Sequence, residues 1–300
     1  MRLLISGGTV FVSKYLTKYF IEKNHEVYVL NRGTRQQVPG ANLIKADRHQ
    51  LKNQLKNYHF DAVIDVCAYN QNDVRDLLKA LNSFDNYLLI SSSAVYPKTN
   101  PQPFSEEQDV GYNMIWQDYG INKIKAEQEL LSQVLNAYII RPAYIYGPMQ
   151  NIYRELFVFE CALKKRKFYI PNDGSMKLQF IHVDDIARMI EKIITSQPSN
   201  QVFNAGNREL VSIKEFVSLC YQIVNTPLEI INVYDDSIDQ RQYFSFYNYQ
   251  YCLDVTKQDQ LIGETVSLKK GLEESFAYYL DHQDEVIKKN YLEFIDRNLQ

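Results

Sequence analysis

Leu3-Leu4-Ile5-Ser6-Gly7-Gly8-Thr9-Val10-Phe11-Val12-Ser13 is the stretch of this 300-residue chain from which its fold can be read. A short apolar run stops at a glycine pair. After it Val12, Tyr15, Leu16, Tyr19 and Phe20 recur at i, i+3, i+4, i+7 and i+8, the spacing of a helix with one buried face. The stretch predicts a strand, a glycine turn and a helix in direct succession. Outward from it, further strand candidates lie at residues 26–30, 42–44, 62–66, 87–90 and 137–140, separated by longer helical patterns. That alternation predicts βαβ units and a parallel sheet, an α/β fold of the doubly wound class.

Past Arg141-Pro142 the chain turns to loops rich in Tyr, Asn and Pro with shorter elements between them. The expected organisation is a large domain over residues 1–150 and a smaller α/β substrate lobe over residues 151–300, with a segment of about 178–206 returning to the first. Asp184 is placed to cap a helix with Ile186, Met189, Ile190 and Ile193 on one face, and Ser212 with Glu215 spells a capping box. Residues 202–204 read as one more strand that rejoins the main sheet, and residues 284–299 as an amphipathic helix.

Composition narrows the function. With 45% hydrophobic and 23% charged residues the chain is globular, not disordered. A net charge of −3 supplies no basic field for a phosphate backbone or an anionic lipid surface, so a small-molecule substrate is favoured and nucleic acid disfavoured. Cys67, Cys161, Cys220 and Cys252 form no C-x-x-C pair, which argues against a disulfide framework and against a metal site. The first apolar run is too short for a signal sequence or a membrane span, and free thiols suit a cytoplasmic protein.

A glycine turn between a strand and a helix is where a dinucleotide diphosphate sits, because unpaired N–H groups and the helix dipole favour anions there. A G-x-x-G-x-x-G spacing asks for glycine at 7, 10 and 13, and the chain has Gly7, Val10 and Ser13. Valine adds bulk at the point of close approach; a bare turn that binds nothing is the competing reading. The second strand ends Asn31-Arg32-Gly33. An amide followed by a guanidinium, in place of the acid that holds a ribose hydroxyl, favours NADP(H), with NAD(H) the alternative. Asp47 either bonds the adenine amine or caps the next helix.

Tyr119 and Lys123 stand four residues apart, on one helical face. A free phenol titrates near ~10, so acid–base work at neutral pH needs a cation one turn away to stabilise its anion. Tyr19 and Lys23 repeat the spacing, and the chain has 23 tyrosines, so spacing alone proves little. Tyr119 differs in following the strand end Ser91-Ser92-Ser93-Ala94-Val95-Tyr96, where a serine hydroxyl and the phenol can share one substrate oxygen.

Six ordered blocks carry a wider similarity: residues 7–12, 91–96, 119–123, 141–148, 180–185 and 203–207. Together they resemble the extended short-chain dehydrogenase/reductase superfamily, especially its NAD-dependent epimerase/dehydratase branch, over nearly the whole chain. The resemblance implies a Rossmann fold, with Ser92, Tyr119 and Lys123 catalytic and cofactor contacts from Gly7, Gly8, Thr9, Val10, Phe11, Val12, Asn31, Arg32, Asp47, Ala68, Ser91, Tyr119 and Lys123. It implies substrate contacts from Ser93, Tyr144, Lys177 and Arg241, no metal, and, by analogy, a homodimer. The reaction it implies is oxidation or epimerisation at a hydroxyl or keto carbon, plausibly of a nucleotide sugar. Dehydration is disfavoured, because Ser93 and Ala94 stand where sugar dehydratases carry Asp-Glu. The Gly-Gly-Thr-x-Phe opening and the Tyr-rich stretch 243–254 look closer to a divergent subgroup that includes chloroplast stem-loop RNA-binding proteins, so a catalytically silent dinucleotide- or RNA-binding protein is the alternative.

Overall fold

Each apolar run marked as a strand in the first 140 residues forms one in the computed structural model, which describes residues 1–299. The chain opens with β1 (Arg2–Ser6), α1 (Phe11–Glu22), β2 (Glu26–Asn31), β3 (Asn42–Lys45), β4 (His59–Asp65), α2 (Gln71–Ala80) and β5 (Ser83–Ile90). A long connection leads to α3 (Asp118–Gln133), β6 (Ala137–Pro142), β7 (Tyr144–Tyr146), α4 (Glu155–Leu163), β8 (Phe168–Pro171), β9 (Lys177–Leu178) and β10 (Phe180–His182). Then come α5 (Val183–Ser196), β11 (Val202–Ala205), β12 (Val211–Ser212), α6 (Ile213–Ile223), β13 (Ile230–Val233), α7 (Thr256–Ile262), α8 (Leu268–Asp281) and α9 (Tyr291–Asn298).

Seven strands make one parallel sheet in the order β3-β2-β1-β4-β5-β6-β11, with Leu3 opposite both Val27 and Ala62. Both faces are covered, so strand residues are buried in alternation on either side. Leu3, Ile5, Val29, Ile64 and Leu88 pack on Leu16 and Phe20 of α1 and on Ile186, Met189 and Ile190 of α5. Leu4, Val63, Tyr87 and Leu89 pack on Val74 and Leu77 of α2 and on Ala126 and Leu130 of α3. A separate, aromatic-rich core under α4, α6 and α8 gathers Phe157, Phe168, Phe216 and Phe244. The order reverses between β1 and β4, and the carboxyl ends of such strands open the crevice in which ligands bind.

Some local expectations shift. Leu16 and Phe20 are fully buried, while Tyr15 and Tyr19 lie at the edge of the stripe and bond Asp184 and Glu191 of α5. The cap of α5 is His182, whose Nδ1 accepts from the Asp184 N–H at 3.4 Å; Asp184 sits in the first turn. The capping box at Ser212 and Glu215 forms in both directions. The last helix begins at Tyr291, because residues 283–285 make a separate 3-10 turn and Ile287 bridges to Ile152.

His182 is fully buried, and burial lowers its pKa to about 4. The unfolded chain therefore takes up this proton first, and stability falls as the pH drops from about 6.5 towards 4. Asparagine keeps an acceptor for the cap but has no such proton. Between pH 7 and 5 the wild type should lose about 2 kcal/mol more stability than His182→Asn in urea unfolding; equal losses would show that His182 does not titrate this way.

Candidate active site

At the carboxyl end of the sheet lies a cleft of about 540 Å³, walled by the first turn of α1, the residues after β4 and β5, the start of α3 and the loop after β7. Gly7 and Gly8 hold φ of +97° and +90°, a region costly for side chains, and a Cβ on Gly8 would stand 2.5 Å from Val29 Cγ1. Val10 is extended, with φ −137° and ψ 133°, so its backbone asks for no glycine. Ser13 is buried and donates to the Val10 carbonyl at 2.9 Å, in space left free by the missing Cβ of Gly7. No side chain caps α1 and no acid lies in its first turn. The N–H groups of its first turn and the helix dipole therefore favour negative charge at this edge of the cleft.

Helix α3 carries Tyr119, Lys123 and Glu127 on one stripe, and each meets the strand ends. Lys123 is 2% exposed and donates to the carbonyls of Ala68 at 2.7 Å and Ile90 at 3.0 Å. Burial lowers its pKa to about 8, against the pull of Asp65 and Glu127. Glu127 accepts from the Ser91 hydroxyl and pairs with Arg141 at 2.6 Å. Arg141 also reaches Tyr96, whose hydroxyl donates to Asn204 at 2.7 Å. Tyr119 remains 42% exposed in the cleft mouth. Burial of its hydroxyl end raises its pKa, opposed by a hydrogen bond from Ser92. Ser92 Oγ also accepts from the Ala94 N–H at 3.1 Å, which holds it at the strand end. Gly120 makes this meeting sterically feasible, since a Cβ there would run into the Ala94 carbonyl oxygen.

The sequence-derived residues divide by location. Ser92, Tyr119 and Lys123 converge, and Val10, Phe11, Val12, Ser91, Ser93 and Tyr144 line the same cleft. Several have their polar groups committed. Ser91 is bound to Glu127, and Ser93 donates to the Tyr251 hydroxyl at 3.0 Å. Asn31 bonds the Gly7 carbonyl at 2.7 Å, Gln37, and the Gly33 N–H, so it braces the glycine loop. Asp47 caps a 3-10 turn through the His49 N–H, the capping alternative of the two weighed for it. Arg32 is exposed beside Asn31. Thr9 lines a neighbouring groove, and Ala68 contributes its carbonyl to Lys123. Lys177 and Arg241 are not among the cleft-lining residues. Lys177 faces Glu215 at 3.4 Å, while Arg241 donates to the Ser245 carbonyl and lies 4.3 Å from the Tyr247 ring centroid.

Two arginines escaped the sequence reading. Arg48 pairs at 2.6 Å with the fully buried Asp65, which also accepts from Ser6 and Tyr87. Burial works to raise the Asp65 pKa, but these partners hold it below the usual carboxylate range. Arg154 lines the cleft itself. Neither belongs to a recognisable spacing; each gets its place from long-range packing.

Comparison with known proteins adds independent findings. Residues 3–206 match the model described as the NAD dependent epimerase/dehydratase family. The chain is 26% identical to the chloroplast stem-loop binding protein of 41 kDa b of Arabidopsis thaliana, covering 92% of this chain and 78% of that one. It is 24% identical to a UDP-N-acetyl-alpha-D-glucosaminuronate decarboxylase of Bacillus cytotoxicus, covering 95% and 99%. In fold it is similar to the UDP-glucose 4-epimerase of Thermotoga maritima, solved with UDP-glucose, at a TM-score of 0.75 and 19% identity over 94% and 100% of the chains. The UDP-glucuronic acid 4-epimerase of Bacillus cereus, solved with UDP-glucuronic acid and NAD, gives 0.73 and 18% over 94% and 99%.

Gly120→Ala tests whether the close approach of α3 serves the site. Alanine is the better helix former by about 1 kcal/mol, yet its methyl must push α3 off the Ser92 turn. Turnover should fall at least ~10-fold with the far-UV spectrum unchanged, because side chains displaced from one another in the cleft lose their effective concentration; wild-type turnover would separate the contact from the chemistry.

Proposed function

The chain belongs to the NAD-dependent epimerase/dehydratase family, and on that premise we propose that it is an NAD(P)-dependent oxidoreductase or epimerase acting on a hydroxyl or keto carbon of a nucleotide-linked sugar. The observation that carries this reading is the convergence of Ser92, Tyr119 and Lys123 in one cleft with the uncapped first turn of α1. The residues fit a nicotinamide dinucleotide: the turn suits a diphosphate, and Lys123 uses two of its three N–H groups on carbonyls, leaving one for a ribose. When bound, that cofactor exchanges a hydride with the substrate carbon.

The side chains supply the proton chemistry. Ser92 donates a hydrogen bond to the substrate oxygen and fixes it beside Tyr119. Tyr119, a neutral phenol at neutral pH, gives its proton to a keto oxygen in one direction and receives a hydroxyl proton in the other. Ser92 opposes the rise in the Tyr119 pKa, and Lys123, one helical turn away and charged below about pH 8, is assigned the support of the phenolate needed for the second direction. Tyr119→Phe should cut turnover of UDP-glucose or UDP-glucuronic acid by at least ~100-fold at saturating cofactor; turnover at the wild-type rate would remove the mechanism.

NADP(H) is the preferred cofactor in this reading, with NAD(H) the alternative. The end of β2 carries no carboxylate, Asn31 is occupied in the glycine loop, and the exposed Arg32 is available to a 2′-phosphate. Calorimetric titration should give NADP(H) at least ~10-fold tighter binding than NAD(H), with the difference lost in Arg32→Ala; tighter binding of NAD(H) would overturn the assignment.

A second reading is favoured by the similarity to the chloroplast stem-loop binding protein: a binding protein on the same fold, without turnover. Salt-sensitive RNA retention in the absence of hydride transfer would support it.

A further inference from the structure

We propose that Tyr69 is a positioning residue of this cleft: the face of its ring supports the charge of the buried Lys123 ammonium, and through it the phenolate of Tyr119. The inference rests on the reading of Lys123 as the partner of that phenolate.

Lys123 carries a charge that few neighbours offset. It is 2% exposed, yet it forms no salt bridge among the described residues. The acids around it are spent on other groups: Asp65 at the end of β4 on Arg48, Asp73 in α2 on the N–H groups of Tyr69 and Asn70, and Glu127 in α3 on Arg141. Cys67, just after β4, is a thiol that burial pushes up, so it stays neutral. What meets the ammonium directly is two backbone carbonyls, of Ala68 and Ile90, and one aromatic face. Nζ lies 5.3 Å from the Tyr69 ring centroid, within the range at which a ring quadrupole attracts a cation. That attraction grows where the cation is desolvated. At this distance the ring takes no hydrogen bond, so the third N–H stays free for a ribose hydroxyl.

Three consecutive residues build the arrangement. Ala68 gives the carbonyl, Tyr69 the ring, and Asn70 the cap of α2, its side chain accepting from the N–H groups of Asn72 and Asp73. The Asp73 carboxylate accepts in return from the Tyr69 N–H at 2.7 Å. The Tyr69 backbone is thereby pinned to the helix start while its side chain remains 58% exposed, lining the cleft with Lys123, Ser92 and Tyr119. A ring so exposed contributes little to the core. Its contact with a buried charge is the interaction that distinguishes it from the many other tyrosines of the chain.

Protein labelled with 13C at the lysine Cε reports the Lys123 titration directly, its signal assigned by its absence from Lys123→Arg. Lys123 should titrate near 8, apart from exposed lysines near ~10.4. Tyr69→Leu keeps an apolar cover without the quadrupole and should lower the Lys123 pKa by at least ~0.4, because the charged form loses an attraction. Tyr69→Phe keeps the ring and should stay within ~0.2 of wild type. Should the leucine variant fail to fold, Tyr69→Met carries the same expectation. A leucine or methionine variant that titrates at or above the wild-type value, or a phenylalanine variant that falls as far as they do, would overturn the role of the ring. These titrations need neither substrate nor cofactor, so they stand apart from the Tyr119 assay. In the turnover assay, the upper pH limit should move down by the same ~0.4 in Tyr69→Leu and return in Tyr69→Phe; a limit that stays in place while the Lys123 pKa falls would remove Tyr69 from the reaction.

Discussion

The buried ion pair between Glu127 and Arg141 governs how this molecule presents its chemistry. The two side chains are 3% and 6% exposed. Removing both charges from water costs several kcal/mol per ion unless the geometry and the remaining hydrogen bonds compensate. Here Ser91 meets the carboxylate, while Tyr96 and then Asn204 extend the network into β11. The arrangement tolerates little slippage, because moving α3 would strand a charge in the core. Glu127 lies one turn beyond Lys123 and two beyond Tyr119, so fixing it fixes the rotation of the helix that carries all three.

Two Tyr-x-x-x-Lys pairs show why the helix's position matters more than its local pattern. Tyr19 and Lys23 have the same spacing as Tyr119 and Lys123, yet both reach Glu191 across the α1–α5 contact. Burial and the Glu191 bond push Tyr19 up to about 12. That pair joins two helices at the surface. The second pair begins its helix at the carboxyl end of the sheet, where strand-end carbonyls and a serine turn converge on it. Chemistry legible as a four-residue spacing acquires its meaning from whether the neighbouring surface is a partner helix or an open crevice.

Much of the sheet, and the meeting of Ser92, Tyr119 and Lys123 in one cleft, could be read in advance because both depend on local or periodic signals. Strand runs, glycine punctuation and the capping box at Ser212 are local consequences of backbone geometry and desolvation. Individual contacts were harder to read. Asn31 and Asp47 spend their side chains on nearby backbone, as short polar residues commonly do. Helix α4 is buried on almost all sides, so Glu155–Leu163 carries no amphipathic period to detect. Arg48 and Arg154 are ordinary in sequence; only packing against Asp65 and Tyr144 distinguishes them.

Sequence alone determined the alternation of strand and helix, the glycine turn at the first crossover, and a tyrosine and lysine on one helical face, since these follow from interactions between residues a few positions apart. Tertiary structure decided which of two identical spacings meets the serine turn, which cations enter the cleft, and which polar groups are already occupied. Those outcomes depend on partners tens to hundreds of residues distant, and on desolvation that exists only once the chain has closed around them.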